Sequence, residues 1–341
     1  KFNPKVSYAA AGVDGVLTTG DFNGDGSPDI AALSKANNNV QLLINQGPGT
    51  FGAAAGLGVG LKPVSVAAAD LDADGDLDLV TGNSGSDDIS VLLNNGKAIF
   101  GVAQTYAAPF GMVGTAAGDL DGDNRPDVVT ANSTGKVDVL LNLGKGTFAA
   151  AVQYPSGAAS LAGVLLADVD GDKALDLLPL GYLSGPAAWV MTNKGNGTFN
   201  AGVGYGSSLL ATAFTVGDFD GDKRPDLVLG TSKEIIPLVN RNGALMAASG
   251  FATDPSPRGV AVADFNADGK TDFALATSKG ISVYMGQGGG TAFAAPVNYA
   301  IGSIFLIYAA DLSGDGKPDL VVGDNGISVL LNQGNGTFAA K

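Results

Sequence analysis

The chain contains no cysteine and no histidine in its 341 residues. That double absence removes disulfides, thiolate nucleophiles, Cys/His zinc sites and the Ser-His-Asp triad together. Cysteine avoidance also suits a protein exported by a bacterium. Tryptophan and glutamate occur once each, as Trp189 and Glu234. Long apolar runs are missing as well. The charge-free stretch 177–193 is broken by Pro179, Gly181, Gly185 and Pro186, so membrane insertion is not expected. Basic residues are scarce, 19 against 33 acidic, for a net charge of −14. Nucleic-acid binding needs a basic footprint and is excluded. No signal peptide begins at Lys1, and any targeting segment is expected to have been cleaved or to lie outside this sequence.

Glycine is abundant, with 52 residues, and 15 prolines accompany it, which together signal many tight turns. At 45% hydrophobic and 15% charged, the chain can bury a core. Its aspartates are clustered in seven nonapeptides: DFNGDGSPD (21–29), DLDADGDLD (70–78), DLDGDNRPD (119–127), DVDGDKALD (168–176), DFDGDKRPD (218–226), DFNADGKTD (264–272) and DLSGDGKPD (311–319). Successive starts are 49, 49, 49, 50, 46 and 47 residues apart, which identifies a single repeat domain over 1–341. These stretches hold 26 of the 33 acidic residues, leaving Asp14, Asp87, Asp88, Asp138, Glu234, Asp254 and Asp324 outside.

Each repeat has one layout. A small-residue apolar run leads into the acidic stretch, two β-rich runs follow, and a GNGTF-like turn precedes a last segment. That segment keeps Phe-x5-Tyr at Phe100–Tyr106, Phe148–Tyr154, Phe199–Tyr205 and Phe293–Tyr299, with Phe51–Leu57 and Leu245–Phe251 at the same spacing. Four short strands per unit, and no helical periodicity, predict an all-β, seven-bladed β-propeller of four-stranded blades. The last repeat stops before its fourth strand, whereas Phe2–Tyr8 supplies the missing pattern. Residues 2–9 are therefore expected to close the ring as the outer strand of the blade built by 303–332.

Aspartates this close repel unless a cation joins them. Position 1 is Asp21, Asp70, Asp119, Asp168, Asp218, Asp264 and Asp311; position 3 is Asn23, Asp72, Asp121, Asp170, Asp220, Asn266 and Ser313. Position 5 is Asp25, Asp74, Asp123, Asp172, Asp222, Asp268 and Asp315; position 9 is Asp29, Asp78, Asp127, Asp176, Asp226, Asp272 and Asp319. Calcium takes roughly six to eight oxygens in a curled loop, one from the backbone carbonyl at position 7. Here that residue is Ser27, Asp76, Arg125, Ala174, Arg224, Lys270 or Lys317. Up to seven Ca²⁺ are expected, and seven divalent ions would balance the −14. These are not EF-hands. The required Glu at position 12 is replaced by Ala32, Thr81, Thr130, Pro179, Leu229, Leu275 and Val322, and a strand follows. The plainer alternative is a set of solvated Asp-Gly turns. Loops 1, 6 and 7 carry a neutral residue at position 3, and loops 4 and 5 put Lys173 and Lys223 at position 6, where glycine fits best. Calcium loops of this kind fill at roughly millimolar calcium, which points outside the cell.

The D-x-[DN]-x-D-G-x-x-D hairpins, the LLNxGxGTF turns and the 49-residue period resemble the FG-GAP/VCBS-like repeats over essentially the whole chain. That resemblance implies calcium hairpins joining the first two strands of each blade, and extracellular recognition or adhesion. Members include the integrin α-subunit head and a mushroom lectin that binds N-acetylglucosamine between blades. The Trp and His residues that lectin-type members use do not carry over, because this chain has one Trp and no His. Nor is an integrin-style partner domain recognisable.

No enzyme is expected. Glycoside hydrolysis needs a paired set of carboxylates, and Glu234 and the scattered aspartates nominate none; Asp87–Asp88 falls in what reads as an exposed turn. Trp189 aligns with Gln41, Ser90, Asp138, Ser282 and Ser328, polar positions of the third strand. It is either a stacking platform for a sugar or partner, or a filler between blades. Asn132, Asn196 and Asn335 open N-x-[ST] triplets that read first as turns. The expected function is a calcium-stabilised, secreted or cell-surface module that binds a protein or carbohydrate at a cell or matrix surface. A structural, self-associating role is the alternative, and a carbohydrate-active enzyme ranks third.

Overall fold

A computed structural model describes the chain except residues 1–5, 11, 14–15, 183–184, 207–210, 232–233, 253–256, 290–291, 325 and 340–341. Phe2, Asp14 and Asp254 lie outside the described residues. The described residues form strands and turns, with no helix among them.

Seven antiparallel sheets follow one another around a ring. Blade 2 is representative: Pro63–Ala69 innermost, then Asp78–Asn83, Asp88–Leu92 and Gln104–Ala107 outermost. The inner strands of successive blades touch in cyclic order, and Leu306–Ala310 of blade 7 meets Leu17–Gly20 of blade 1. The N-terminal segment closes the ring as expected. Val6–Tyr8 runs antiparallel to Ile327–Asn332, with Val6 opposite Val329 and Tyr8 opposite Ile327.

Residue size explains the layering. Inner strands such as PVSVAAA are small-residue runs because seven of them converge on the axis. Second strands such as DLVTGN are buried at every position, being covered on both faces by neighbouring blades, and they read as short continuous apolar runs. Outer strands such as QTYA are largely exposed. The core is divided accordingly into seven apolar clusters, one between each pair of adjacent blades.

The Phe-x5-Tyr segment is not one strand. Phe51, Phe100, Phe199 and Phe293 each sit in a single-residue bridge after the glycine turn, and only the tyrosine end joins the outer strand. The aromatic partner lies in the next blade. Tyr106 meets Phe148, Tyr154 meets Phe199, and Tyr8 meets Phe51, each edge-on with ring centroids 5.3–5.4 Å apart. Their hydroxyls donate to the carbonyls of Gly146, Gly197 and Gly49 in those same turns.

Candidate metal centres

All seven acidic stretches are the hairpins between the first and second strands of their blades. In loop 2, Asp70 Oδ1 accepts the backbone N–H groups of Ala73 (2.8 Å) and Asp74 (3.2 Å), and Oδ2 accepts that of Gly75 (3.1 Å). Asp21, Asp168, Asp218 and Asp311 hold their loops in the same way. The curl needs left-handed backbone twice. Position 6 was expected, and there Lys173 (φ 77°) and Lys223 (φ 69°) adopt it without glycine. Position 4 needs it too: five loops have glycine, and Ala73 (φ 66°) and Ala267 (φ 59°) complete the set. The recurring glycine at position 4 was the signal for this.

Position 9 is fully interior. Each of its seven aspartates is at most 1% exposed. Oδ2 accepts the amide of position 2 at 2.8–3.0 Å. Oδ1 accepts, at 2.7–2.8 Å, the amide of Asn45, Asn94, Asn142, Asn193, Asn240, Gly286 or Asn332 at the end of the third strand. Burial pushes the carboxyls of Asp29, Asp78, Asp127 and Asp176 up to about 6, against the opposing pull of those amides. Asp226, Asp272 and Asp319 move the same way for the same reason. At position 3, desolvation and then the neighbouring position-5 charge raise Asp72, Asp121 and Asp170.

In four loops the carboxylates of positions 1, 3 and 9 converge: Asp70, Asp72, Asp78; Asp119, Asp121, Asp127; Asp168, Asp170, Asp176; and Asp218, Asp220, Asp226. Within each group one oxygen per residue lies within 4.8 Å of the others, the span of ligands around one Ca²⁺ at about 2.4 Å. The donor set fits a hard divalent cation: all oxygen, anionic, and buried at position 9. Such an ion would supply the positive charge that position 9 lacks in all four loops and position 3 lacks in loop 2. Loops 1, 6 and 7 form no three-carboxylate group among the described residues, as their neutral Asn23, Asn266 and Ser313 imply.

Positions 5 and 7 behave differently from the rest. The position-5 carboxylate accepts the amide of position 7 in every loop, as in Asp76 N to Asp74 Oδ1 at 2.9 Å. In loops 3, 5, 6 and 7 the side chains of Arg125, Arg224, Lys270 and Lys317 fold back onto Asp123, Asp222, Asp268 and Asp315. Hydrogen bonds from Asn23 to Asp25, from the Arg224 amide to Asp222, and from Lys270 and Lys317 to Asp268 and Asp315 lower those carboxyls. In loop 5, Arg241 also pairs with Asp220.

Each loop is also the anchor of a seam, which sequence reading missed. Position 2 (Phe22, Leu71, Leu120, Val169, Phe219, Phe265, Leu312) is buried, and in six blades its carbonyl accepts an Asn Nδ2 of the next blade at 2.8–3.0 Å. Blade 6 departs from this pattern: Gly286 replaces the Asn, and Thr271 Oγ1 donates to the Asp218 carbonyl of blade 5 instead. The recurring LLN tripeptide carried this signal.

Trp189 is half-buried, whereas Ser90, Asp138, Ser282 and Ser328 at the same strand position are buried. Its indole lies against Gly157 and Gly204, where no methyl group would fit at Gly157, and its Nε1 is buried without a partner. This packing is in keeping with a filler. Asp87 and Asp88 are half-buried rather than in an exposed turn, and Asp88 Oδ1 accepts from Asn83 and Ser86. Asn132 is 1% exposed, whereas Asn196 and Asn335 are exposed and cap Thr198 and Thr337.

The FG-GAP-like repeat matches residues 21–81, 70–130, 119–178 and 264–322, together more than half of the chain. The chain belongs to this family. Each matched FG-GAP-like window runs from one acidic loop through the next, and loop 5, where Arg241 intrudes, falls outside all four. No curated protein matches the sequence. Among solved structures, BBS1N in complex with ARL6DN has 10% identity and a TM-score of 0.68, covering 99% of this chain and 100% of that one. Sqt1 of Saccharomyces cerevisiae has 15% identity and a TM-score of 0.66, covering 99% and 88%. An Agrocybe aegerita lectin that recognises non-reducing terminal N-acetylglucosamine has 21% identity, a TM-score of 0.45, and coverage of 95% and 78%. At these identities the first two likenesses are of fold.

Proposed function

We propose that this FG-GAP-repeat propeller is a calcium-stabilised, extracellular binding module for a protein or glycan, without catalytic activity. The observation that carries this reading is the convergence of three carboxylates in each of four loops, at equivalent places in consecutive blades. Asp70, Asp72 and Asp78, and their counterparts in loops 3, 4 and 5, would hold the ions. A cation there would fix the loop whose position-2 carbonyl receives the next blade, so calcium would stiffen the ring itself. A rigid ring suits recognition, since a preorganised surface loses little entropy on binding. Loops of modest affinity fill only where calcium is roughly millimolar, which supports an extracellular setting. The remaining acidic residues are dispersed: Glu234 opens a strand of blade 5, Asp88 one of blade 2, and Asp138 is buried in blade 3. A protein partner is in keeping with the fold neighbour BBS1N, which was solved with ARL6DN.

Thermal unfolding in EDTA and then in millimolar calcium, with calorimetric counting of bound ions, tests the metal reading. About four filled sites at roughly 0.4–1.4 kcal/mol each should add about 2–6 kcal/mol. No shift and no bound ions would reduce the loops to solvated turns and remove the argument for an extracellular setting. Glycan arrays and pull-down on surface extracts then separate the two ligand classes.

A further inference from the structure

The inner strands of blades 5, 6 and 7 enclose a cavity of about 520 Å³ on the ring axis, to which blades 4 and 1 add Leu165 and Val16. This volume lies in the range of small-molecule pockets, roughly 300–1,000 Å³. Its wall is largely apolar, with Phe214 and Val262 among the lining residues. Tyr308 also lines it, and burial pushes that phenol up to about 12, so the wall there stays uncharged. Among the described residues Arg258 is the only charged one of the lining. It sits at the mouth, exposed, with its guanidinium 4.9 Å from the centroid of the Phe305 ring and Nη1 donating to Ser303 Oγ at 2.8 Å. No carboxylate pairs with it among the described residues.

We propose that this mouth binds a monocarboxylate with an unbranched apolar tail, the carboxylate on Arg258 and the tail in the channel. The guanidinium has five donors in a planar fork, and a charge-assisted pair with a carboxylate is the contact it makes best. One cation without a second beside it matches a single negative charge rather than a phosphate dianion. The charge stays at the exposed rim, so the pair avoids the desolvation cost of a buried ion pair. The tail replaces water along the apolar wall. The acidic loops do not oppose this placement. Gly259–Ala263 leads from the Arg258 end to Asp264, and five strand residues span about 16 Å, well over a Debye length in physiological salt. The site is separate from the calcium loops, and its test does not depend on them.

The test is calorimetric titration of the whole chain with decanoate, hexanoate and decylammonium. Decanoate should bind saturably, one per chain. Hexanoate should bind at least about tenfold more weakly, since each buried methylene contributes roughly fourfold. Decylammonium, with the same tail and the opposite charge, should not bind. Arg258→Gln should weaken decanoate binding by about tenfold or more with an unchanged melting temperature, because the side chain is exposed. Absence of saturable decanoate binding at millimolar concentration overturns the proposal. So does equal binding of hexanoate, or decanoate binding that Arg258→Gln leaves intact.

Discussion

Asp138 shows how one side chain can oppose the fold that contains it. It is fully buried in Lys136–Leu140, with Asn132 Nδ2 donating to Oδ2 at 2.9 Å and Gln153 Nε2 to Oδ1 at 2.8 Å. Burial raises its carboxyl more than those two amides lower it. The folded chain therefore holds this proton more tightly than the unfolded chain, whose value is about 3.9. The contribution favours folding below about pH 4 and is lost as pH rises through the folded value. Replacing Asp138 with Ser, the residue found at Ser90 and Ser328, should remove that slope. In urea titrations across this range the variant should gain on the wild type as pH rises. A constant difference would show that Asp138 does not titrate there.

At the scale of the hairpin, four loops share a carboxylate arrangement but not a charge balance. In loop 2 the aspartates form no ion pair among the described residues, whereas in loop 5 Arg241 pairs with Asp220 and lies 3.8 Å from Asp222. A resident guanidinium competes with an incoming ion. Loop 5 should accordingly bind calcium more weakly than loop 2 by about tenfold or more. At a free calcium concentration that fills loop 2 but not loop 5, Arg241→Gln should add one ion to the calorimetric count. An unchanged count would mean that Arg241 moves aside on binding.

The whole ring depends on one short strand. Val6–Tyr8 covers the edge of Ile327–Asn332, and Tyr8 crosses the seam to Phe51 and the Gly49 carbonyl. Removing residues 1–8 would leave an open edge in blade 7 and a broken seam with blade 1. The expected loss is about 3 kcal/mol or more, with concentration-dependent light scattering. A truncated chain that stays monomeric at the original melting temperature would show that the other six seams suffice.

The sequence alone determined the number of blades, the place of each acidic hairpin and the strand that closes the ring. These rest on signals local to one repeat: aspartates at fixed offsets, glycine turns, and a period near 49 residues. Only the tertiary structure decided which neighbour each residue serves. Phe100 and Tyr106 are spaced as a pair in the chain, yet Tyr106 packs on Phe148 of the next blade and Phe100 on Phe22 of the previous one. Asn142 reads as a turn residue, yet its amide holds the Leu71 carbonyl of the preceding blade. Position 9 reads as a ligand like the others, yet its burial gives it a second task as the pin between loop and third strand. A repeat pattern specifies what every blade presents. Which surfaces meet, which polar groups lose water, and what cavity remains on the axis follow from closing seven such blades into a ring.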